Sequence, residues 1–476
     1  MATPTFYPLI HNEWVKTSKS QKIKNPYNGK TVAKVYMAEG DFLEMAIESA
    51  QKGYQVSCQL SSYDRYHLLM KIAAGIEKRK DELAQTILEE SGKPIHFAQN
   101  EVERSVLTFT WAAEEARRIK GELLPLDIAP QTRGYFGISR RFPVGVILGI
   151  TPFNFPLNLV AHKIAPAIAS GNSILLKPAS ATPVTAVKLG EILKQAGVPA
   201  GTVNIIPTNA KEAQNMVKDG RIKKLTFTGS ADVGWFLKSL AGKKSVTLEL
   251  GGNAGSIVES DAHPDEIIPR LVLGAFAYAG QVCISVQRIY VQESLFDAFI
   301  QKFADETAKS AIYGDPKYDK TVIGPMISTD AAKQAESWIR DAVKEGAKIL
   351  IGGKRDGNIL EPTILTNTQT YMKVISEEIF APVVSIEPYN EFSDAIKMIN
   401  NSYYGLQAGV FTNDFKKIQQ AYAQLEVGGV IINDYPTFRI DPMPYGGTKD
   451  SGIGREGIRY AMEEMTELKL LAIKGQ

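Results

Sequence analysis

Cys283 is one of two cysteines in this chain, and it lies in Ala-Gly-Gln-Val-Cys-Ile-Ser (279–285), where small residues surround a thiol. Upstream, Glu249 lies in Leu-Glu-Leu-Gly-Gly-Asn (248–253), after a short apolar run and before a glycine pair that allows a sharp turn. A thiol that can become a nucleophile and a carboxylate that can activate water are what covalent thioester chemistry requires. Each also has a plainer reading. A free cysteine packs as a small hydrophobe, and a glutamate at a strand end usually faces solvent. The histidines, His11, His67, His96, His162 and His263, are scattered with no metal-ligand spacing, which argues against a Cys–His dyad and a zinc site.

Two further segments hold polar groups where a ligand could meet them. Asn154, in Thr-Pro-Phe-Asn-Phe-Pro (151–156), follows the carboxyl end of an expected strand and could donate to an oxyanion, or could simply be a turn asparagine. Lys177 and Ser180, in Leu-Lys-Pro-Ala-Ser (176–180), close the next expected strand, where a dinucleotide-binding half reads the adenosine ribose. The plainer reading is a solvated strand-end lysine. Gly452, Gly454 and Gly457 match Gly-x-Gly-x-x-Gly, but too little chain follows for a βαβ unit, so this is not a dinucleotide fingerprint.

The elements that must position these groups follow from periodicity. The first third reads as helices, over 41–53, 62–80, 81–91 and 99–120. From 144 onward the pattern becomes short apolar runs alternating with helices: strands at 144–150, 173–176, 202–206, 224–227 and 245–250, with helices at 183–195 and 210–218. A second series follows, with a helix at 264–278, a strand at 287–291, a helix at 295–309, and strands near Ile349, Val384, Ala408 and Val430. These patterns predict an α/β protein with two doubly wound α/β domains. The boundaries are 1–120 and 144–250 for a dinucleotide-binding domain and 251–461 for a catalytic domain. A small β oligomerisation element is expected from 121–143 and 462–476, because the lone strand at 468–473 needs a sheet elsewhere, plausibly in a neighbouring subunit.

Composition excludes several classes of partner. A net charge of +2 gives no electrostatic case for nucleic acid or an anionic membrane. The most apolar stretch, 144–169, is interrupted by Pro152, Asn154, Pro156 and Lys163, and reads as buried core, not a membrane span. Two cysteines cannot build a disulfide framework, and residues 1–14 lack a basic stretch followed by an apolar run. A cytoplasmic protein is expected.

Together the segments resemble the aldehyde dehydrogenase superfamily over nearly the whole chain. Thr-Pro-Phe-Asn-Phe-Pro, Leu-Lys-Pro-Ala-Ser, Phe-Thr-Gly-Ser (227–230), Leu-Glu-Leu-Gly-Gly-Asn, Gly-Gln-Val-Cys and Glu-Glu-Ile-Phe-Ala-Pro (377–382) occur in that family's order and spacing. The resemblance implies Cys283 as nucleophile, Glu249 as general base, and Asn154 with the Cys283 backbone N–H as oxyanion donors. It implies Lys177 and Ser180 at the adenosine ribose, Ser230 at the pyrophosphate, and Glu378 and Phe380 at the nicotinamide riboside. The cofactor is then NADP or NAD, with NADP favoured because Ser180 is neutral where strict NAD users often carry a glutamate. The resemblance also makes 468–473 a strand exchanged between subunits of a homodimer or homotetramer, with 121–141 as a protruding hairpin.

The stretch from Asn433 to Gly447 is similar to members acting on small hydroxylated or anionic aldehydes, such as lactaldehyde and phosphonoacetaldehyde. Arg104 and Arg439 match positions that bind the anionic group there, although Val282 stands where phosphonoacetaldehyde members have arginine. Arg104 could instead be a solvated helix residue, and Arg439 could pair with Asp434 or Asp441 and shape its loop. The expected reaction is oxidation of a small aldehyde to its carboxylic acid. The alternatives are a CoA-acylating dehydrogenase and a catalytically idle homologue.

Overall fold

The computed structural model describes residues 3–475. Its first large sheet has eight strands in the order Gly452–Ile453, Ser245–Glu249, Ile222–Thr228, Val146–Ile150, Ser173–Lys177, Val203–Ile205, Leu9–Ile10, Glu13–Trp14. The five strands from Ser245–Glu249 to Val203–Ile205 are parallel. Chain order reverses on either side of Val146–Ile150. The turns that leave it and its neighbour Ile222–Thr228 therefore diverge at one edge and open a crevice at their carboxyl ends.

The second sheet has seven strands, in the order Lys348–Ile351, Thr363–Thr366, Val383–Tyr389, Val286–Gln292, Ala254–Val258, Gln407–Phe411, Gly429–Ile432. Only the edge strand Lys348–Ile351 runs antiparallel. The central strands of both sheets are buried along their length, as expected when helices cover both faces of a parallel sheet. The two doubly wound α/β halves expected from periodicity are thus present.

The amino-terminal third departs from its helical reading. Helices do occupy Asp41–Ser57, Ser62–Lys78, Lys80–Ser91 and Ile95–Ala116. Ahead of them, however, Lys19–Lys24 and Thr31–Met37 form an antiparallel pair, and two-residue strands at Leu9–Ile10 and Glu13–Trp14 extend the first large sheet. Two-residue ladders are too short to show a period of two. The apolar run over 144–169 divides into the strand Val146–Ile150 and a helix, Asn158–Ala169, that is buried on every face. Lys163 sits inside that helix, fully buried.

The third sheet is small. Glu122–Pro125 pairs antiparallel with Tyr135–Pro143, which pairs with Thr466–Lys474. The last strand therefore finds its sheet within its own chain, delivered there by the Ile458–Glu464 helix and the Val144 N–H donating to the Met465 carbonyl at 3.2 Å. Its outer edge pairs with no other strand among the described residues. At Gly452–Gly457 a two-residue edge strand runs antiparallel to Ser245–Glu249 before that seven-residue helix, so the glycine pattern is not a dinucleotide turn.

Close backbone approach fixes the first sheet against its helices. A side-chain carbon on Gly53, in Asp41–Ser57, would sit 2.0 Å from the Gly201 carbonyl carbon. Gly53→Ala should therefore destabilise the fold by about 1–3 kcal/mol through overpacking, read as a lowered Tm in thermal unfolding. An unchanged melting curve would contradict this close approach.

Candidate active site

A cavity of about 780 Å³ opens where the carboxyl ends of the first sheet meet the second half of the chain. Asn154 enters it from the turn after Val146–Ile150, Ser230 from the turn after Ile222–Thr228, and Glu249 from the end of its own strand. Cys283, Glu378 and Arg439 enter from the other half.

The thiol is placed by strained backbone. After the Pro264–Phe276 helix, Tyr278, Ala279 and Gly280 are left-handed in succession, with φ of 52°, 56° and 65°. Two non-glycine residues in that region cost on the order of 1–3 kcal/mol each, and the surrounding packing must hold them there. Gly280 is obligatory, since a side-chain carbon there would lie 2.2 Å from the Ala381 carbonyl oxygen. The chain then delivers Cys283 against Gly252, where a side-chain carbon would sit 2.2 Å from the Cys283 carbonyl oxygen. The glycine pair after Glu249 is thus what lets the carboxylate strand and the thiol loop meet. The Gly252 N–H donates to Glu378 Oε1 at 2.9 Å and ties a third cavity residue to the same spot.

Burial raises both candidate catalytic groups above their ordinary values. Burial pushes the Cys283 thiol up to about 11, opposed by a hydrogen bond with Tyr445 (Sγ to Oη 3.0 Å) and by the positive charge of Arg439. Burial also raises Glu249 well above the ordinary carboxylate range, and the nearby negative charge of Glu456 raises it further. Neither Glu249 carboxyl oxygen has a hydrogen-bond partner among the described residues. Glu456 is the opposite case. Burial disfavours its ionised form, yet Lys163 (3.1 Å) and Arg439 (3.2 Å) outweigh it and hold the carboxyl down to about 2. Asn154 is buried, its Nδ2 donates to the Gln281 carbonyl at 3.0 Å, and its Oδ1 is unpartnered.

The candidate cofactor residues divide. Ser180 and Ser230 are exposed at the cavity wall. Ser230 stands at the amino terminus of the Ala231–Leu240 helix, whose first N–H groups receive no side-chain cap. Glu378 is pushed up to about 7 by burial, against the Gly252 hydrogen bond. Phe380 is left-handed (φ 50°) and meets Phe153 edge-on with ring centroids 6.0 Å apart. Lys177 does not line the cavity. Its Nζ donates to the Pro178 carbonyl at 3.2 Å, and burial lowers it to about 8.

The two arginines differ from their plainer readings. Arg104 lines the cavity and pairs with Asp441 at 2.8 Å, with its side chain only 30% exposed, so it is not a freely solvated helix residue. Arg439 pairs with neither Asp434 nor Asp441. Asp434 binds Arg270 at 2.6 Å, and Asp441 binds Arg104 and His162 at 2.8 Å each. Arg439 instead bonds Glu456 and lies over the Tyr445 ring, 3.6 Å from its centroid.

Sequence reasoning missed Tyr445, Glu456, Lys163 and Asp441. Lys163 had a signal, a lysine within an otherwise apolar run. Glu456 lies inside the glycine pattern that fails as a fingerprint, so those glycines serve the turn that presents it.

The aldehyde dehydrogenase family model matches residues 14–471. The 3-sulfolactaldehyde dehydrogenase of Priestia aryabhattai is 43% identical over 465 residues, 98% of this chain and 97% of that protein. Aldehyde dehydrogenase 21 from Physcomitrella patens, solved with the reaction product succinate, superimposes with a TM-score of 0.97 at 44% identity, covering 100% of this chain and 99% of that one. The glyceraldehyde-3-phosphate dehydrogenase GapN of Methanocaldococcus jannaschii, solved with NADP, gives 0.92 at 40% identity, covering 96% and 100%. The chain belongs to the aldehyde dehydrogenase family, and its reaction class is the NAD(P)-dependent oxidation of an aldehyde to its acid.

The buried charges around Glu456 generate a stability prediction. Lys163→Met leaves Glu456 with Arg439 as its only ion-pair partner among the described residues. Breaking a buried pair on one side costs about 3–5 kcal/mol, so the urea unfolding midpoint should fall clearly. A midpoint equal to that of the parent would show that this pair does not hold the site.

Proposed function

We propose that this enzyme oxidises a small hydroxylated or anionic aldehyde through a thioester on Cys283, with NADP preferred over NAD. The observation that carries the reading is the contact of Gly252 with the Cys283 carbonyl, which puts an unpartnered buried carboxyl, Glu249, on the same cavity wall as the thiol.

The chemistry follows from the residues. Cys283, once ionised, attacks the aldehyde carbon, and the carbonyl oxygen gains negative charge. The Asn154 amide and the Cys283 backbone N–H donate to that oxygen in a low-dielectric cavity, where such hydrogen bonds act strongly. Bound oxidised nicotinamide supplies the acceptor for the hydride that leaves the same carbon. The carbon then remains as a thioester on Cys283. Glu249, once ionised, takes a proton from water, the hydroxide formed attacks the thioester, and the acid departs with the thiolate restored. A carboxyl poised for water supports hydrolysis over acyl transfer to CoA, and the full set Asn154, Glu249 and Cys283 supports an active enzyme over an idle homologue.

The dinucleotide has suitable partners. The uncapped helix amino terminus at Ser230 suits a pyrophosphate, and Glu378 and Phe380 suit the nicotinamide riboside. Ser180, exposed and neutral, with Lys177 three residues before it, suits an adenosine ribose bearing a 2′-phosphate. The first sheet with 1–120 and 144–250 is then the dinucleotide-binding domain, and 251–461 the catalytic domain. Arg104 and Arg439 offer unpartnered Nε–H groups inside the cavity wall for a distal hydroxyl, carboxylate or sulfonate. The relatives named for sulfolactaldehyde and succinate are consistent with that choice.

Two features bear on assembly and location. Leu468, Leu470 and Leu471 are exposed on the open-edged Thr466–Lys474 strand, which supports a homodimer or homotetramer built on 121–143 and 462–476. Both cysteines are free thiols and no described helix is long and apolar enough to cross a membrane. A cytoplasmic location fits these features.

Two measurements test the assignment. Glu249→Gln should give a burst of reduced nicotinamide of about one equivalent without steady turnover, while Cys283→Ala gives neither. Parent-like steady turnover in either variant would refute these roles. Ser180→Glu should move the NADP/NAD ratio of kcat/KM toward NAD by tenfold or more, on the order expected for placing a carboxylate beside a phosphate. An unchanged ratio would remove Ser180 from cofactor selection.

A further inference from the structure

We infer that Tyr445 is a catalytic residue, its hydroxyl donating the hydrogen bond that holds the Cys283 thiolate, with the Arg439 guanidinium stacked on its ring to strengthen the donation. The inference rests on Cys283 being the nucleophile, and it assigns the aromatic residue beside it a chemical task.

The geometry is specific. Tyr445 Oη lies 3.0 Å from Cys283 Sγ, and the phenol makes no other hydrogen bond among the described residues. While the sulfur is a thiol, either atom can donate. Once it ionises, only the phenol has a proton to give, so the contact favours the ionised form. A phenylalanine would fill the same space without this bias.

The ring is held from three directions. Its backbone pairs with Glu456 in an antiparallel bridge, with Tyr445 N–H to the Glu456 carbonyl at 3.0 Å and the reverse bond at 2.7 Å. Its apolar edge packs with Ile284 and Leu406, beside Val282 and Cys283. Its face is covered by Arg439, 3.6 Å from the centroid, and Arg439 is bonded to the same Glu456. Arginine, tyrosine and glutamate thus close a ring of contacts that fixes the hydroxyl on the sulfur.

Arg439 acts on the phenol electronically as well. A cation over the ring face draws electron density from it, and a phenol depleted in this way is a stronger hydrogen-bond donor. The site is buried, so solvent does not screen the effect. Burial is also what makes the donation necessary, because it raises the thiol while the Tyr445 hydrogen bond and the Arg439 charge lower it. Arg439 is therefore not only a substrate residue, and its loss should slow every aldehyde, anionic or not.

The test reads the thiol directly. Full-length protein without dinucleotide is alkylated with iodoacetamide across a pH series, and peptide-resolved mass spectrometry separates Cys283 from Cys58. Tyr445→Phe, which keeps the ring and its packing, should displace the Cys283 profile upward by about one pH unit and slow alkylation at pH 8 by about five- to tenfold. A profile superimposable on the parent's would overturn the inference. Arg439→Met should slow alkylation more in the parent than in the Tyr445→Phe background. Equal slowing in both would overturn the coupling through the phenol. The parent reaction separates the two readings. If complete alkylation of Cys283 leaves dehydrogenase activity intact, the nucleophile assignment fails and this inference with it. If alkylation abolishes activity but Tyr445→Phe has no effect on the profile, only this inference fails.

Discussion

Glu456 is a fully buried carboxylate kept ionised between Lys163 and Arg439, and the geometry of the catalytic wall depends on it. A lone charge in such a place would cost several kcal/mol of desolvation, so both cations must be present and correctly placed. Lys163 comes from the Asn158–Ala169 helix of the first half, and Arg439 from a loop of the second. The carboxylate therefore holds the two halves together at the cavity. It also fixes the guanidinium that covers Tyr445, which in turn touches the sulfur. The same negative charge reaches Glu249 and raises it. One ionised side chain thus touches the guanidinium that covers Tyr445 and adds to the rise that burial gives Glu249.

This arrangement gives the site its resting state. Cys283 is raised by burial and Glu249 by burial and Glu456. Both shifts favour the protonated forms, a thiol and a carboxylic acid. In those forms the thiol is a poor nucleophile and the carboxyl cannot take a proton from water. Reaction requires each to lose a proton, and the groups that favour the loss, Tyr445 and Arg439 for the sulfur, are already placed.

Much of this was legible in the chain, for physical reasons. Cys283, Glu249 and Asn154 stand in segments whose glycines and prolines answer local demands of the backbone. Gly252 is read as a turn residue in the sequence and proves necessary because the Cys283 carbonyl packs on it. The alternation of apolar runs and helices from 144 onward carried the doubly wound halves, because strand and helix periods are local properties. Tyr445 and Glu456 were not legible, and Asp441 was read only as a partner for Arg439. The contacts that place Glu456 and Asp441 come from residues far away in the chain, Lys163 for Glu456 and Arg104 for Asp441, and no local pattern encodes such contacts. Of the missed amino-terminal strands, Leu9–Ile10 and Glu13–Trp14 are too short to have a period, whereas nothing so simple hides the longer pair Lys19–Lys24 and Thr31–Met37. Lys177 donates to the carbonyl of the next residue, a contact that the sequence pattern did not indicate.

Burial raises Glu249, and the negative charge of Glu456 raises it further. Infrared difference spectroscopy of the parent against Glu249→Gln, titrated with pH, isolates the Glu249 carboxyl from other raised carboxyls such as Glu378 and Glu90. The expected result is a carboxyl band that titrates well above the usual carboxylate range, and that moves to lower pH when Glu456 is replaced by Gln. A Glu249 that titrates near the ordinary carboxylate value of about 4.3, or one indifferent to Glu456→Gln, would contradict the account.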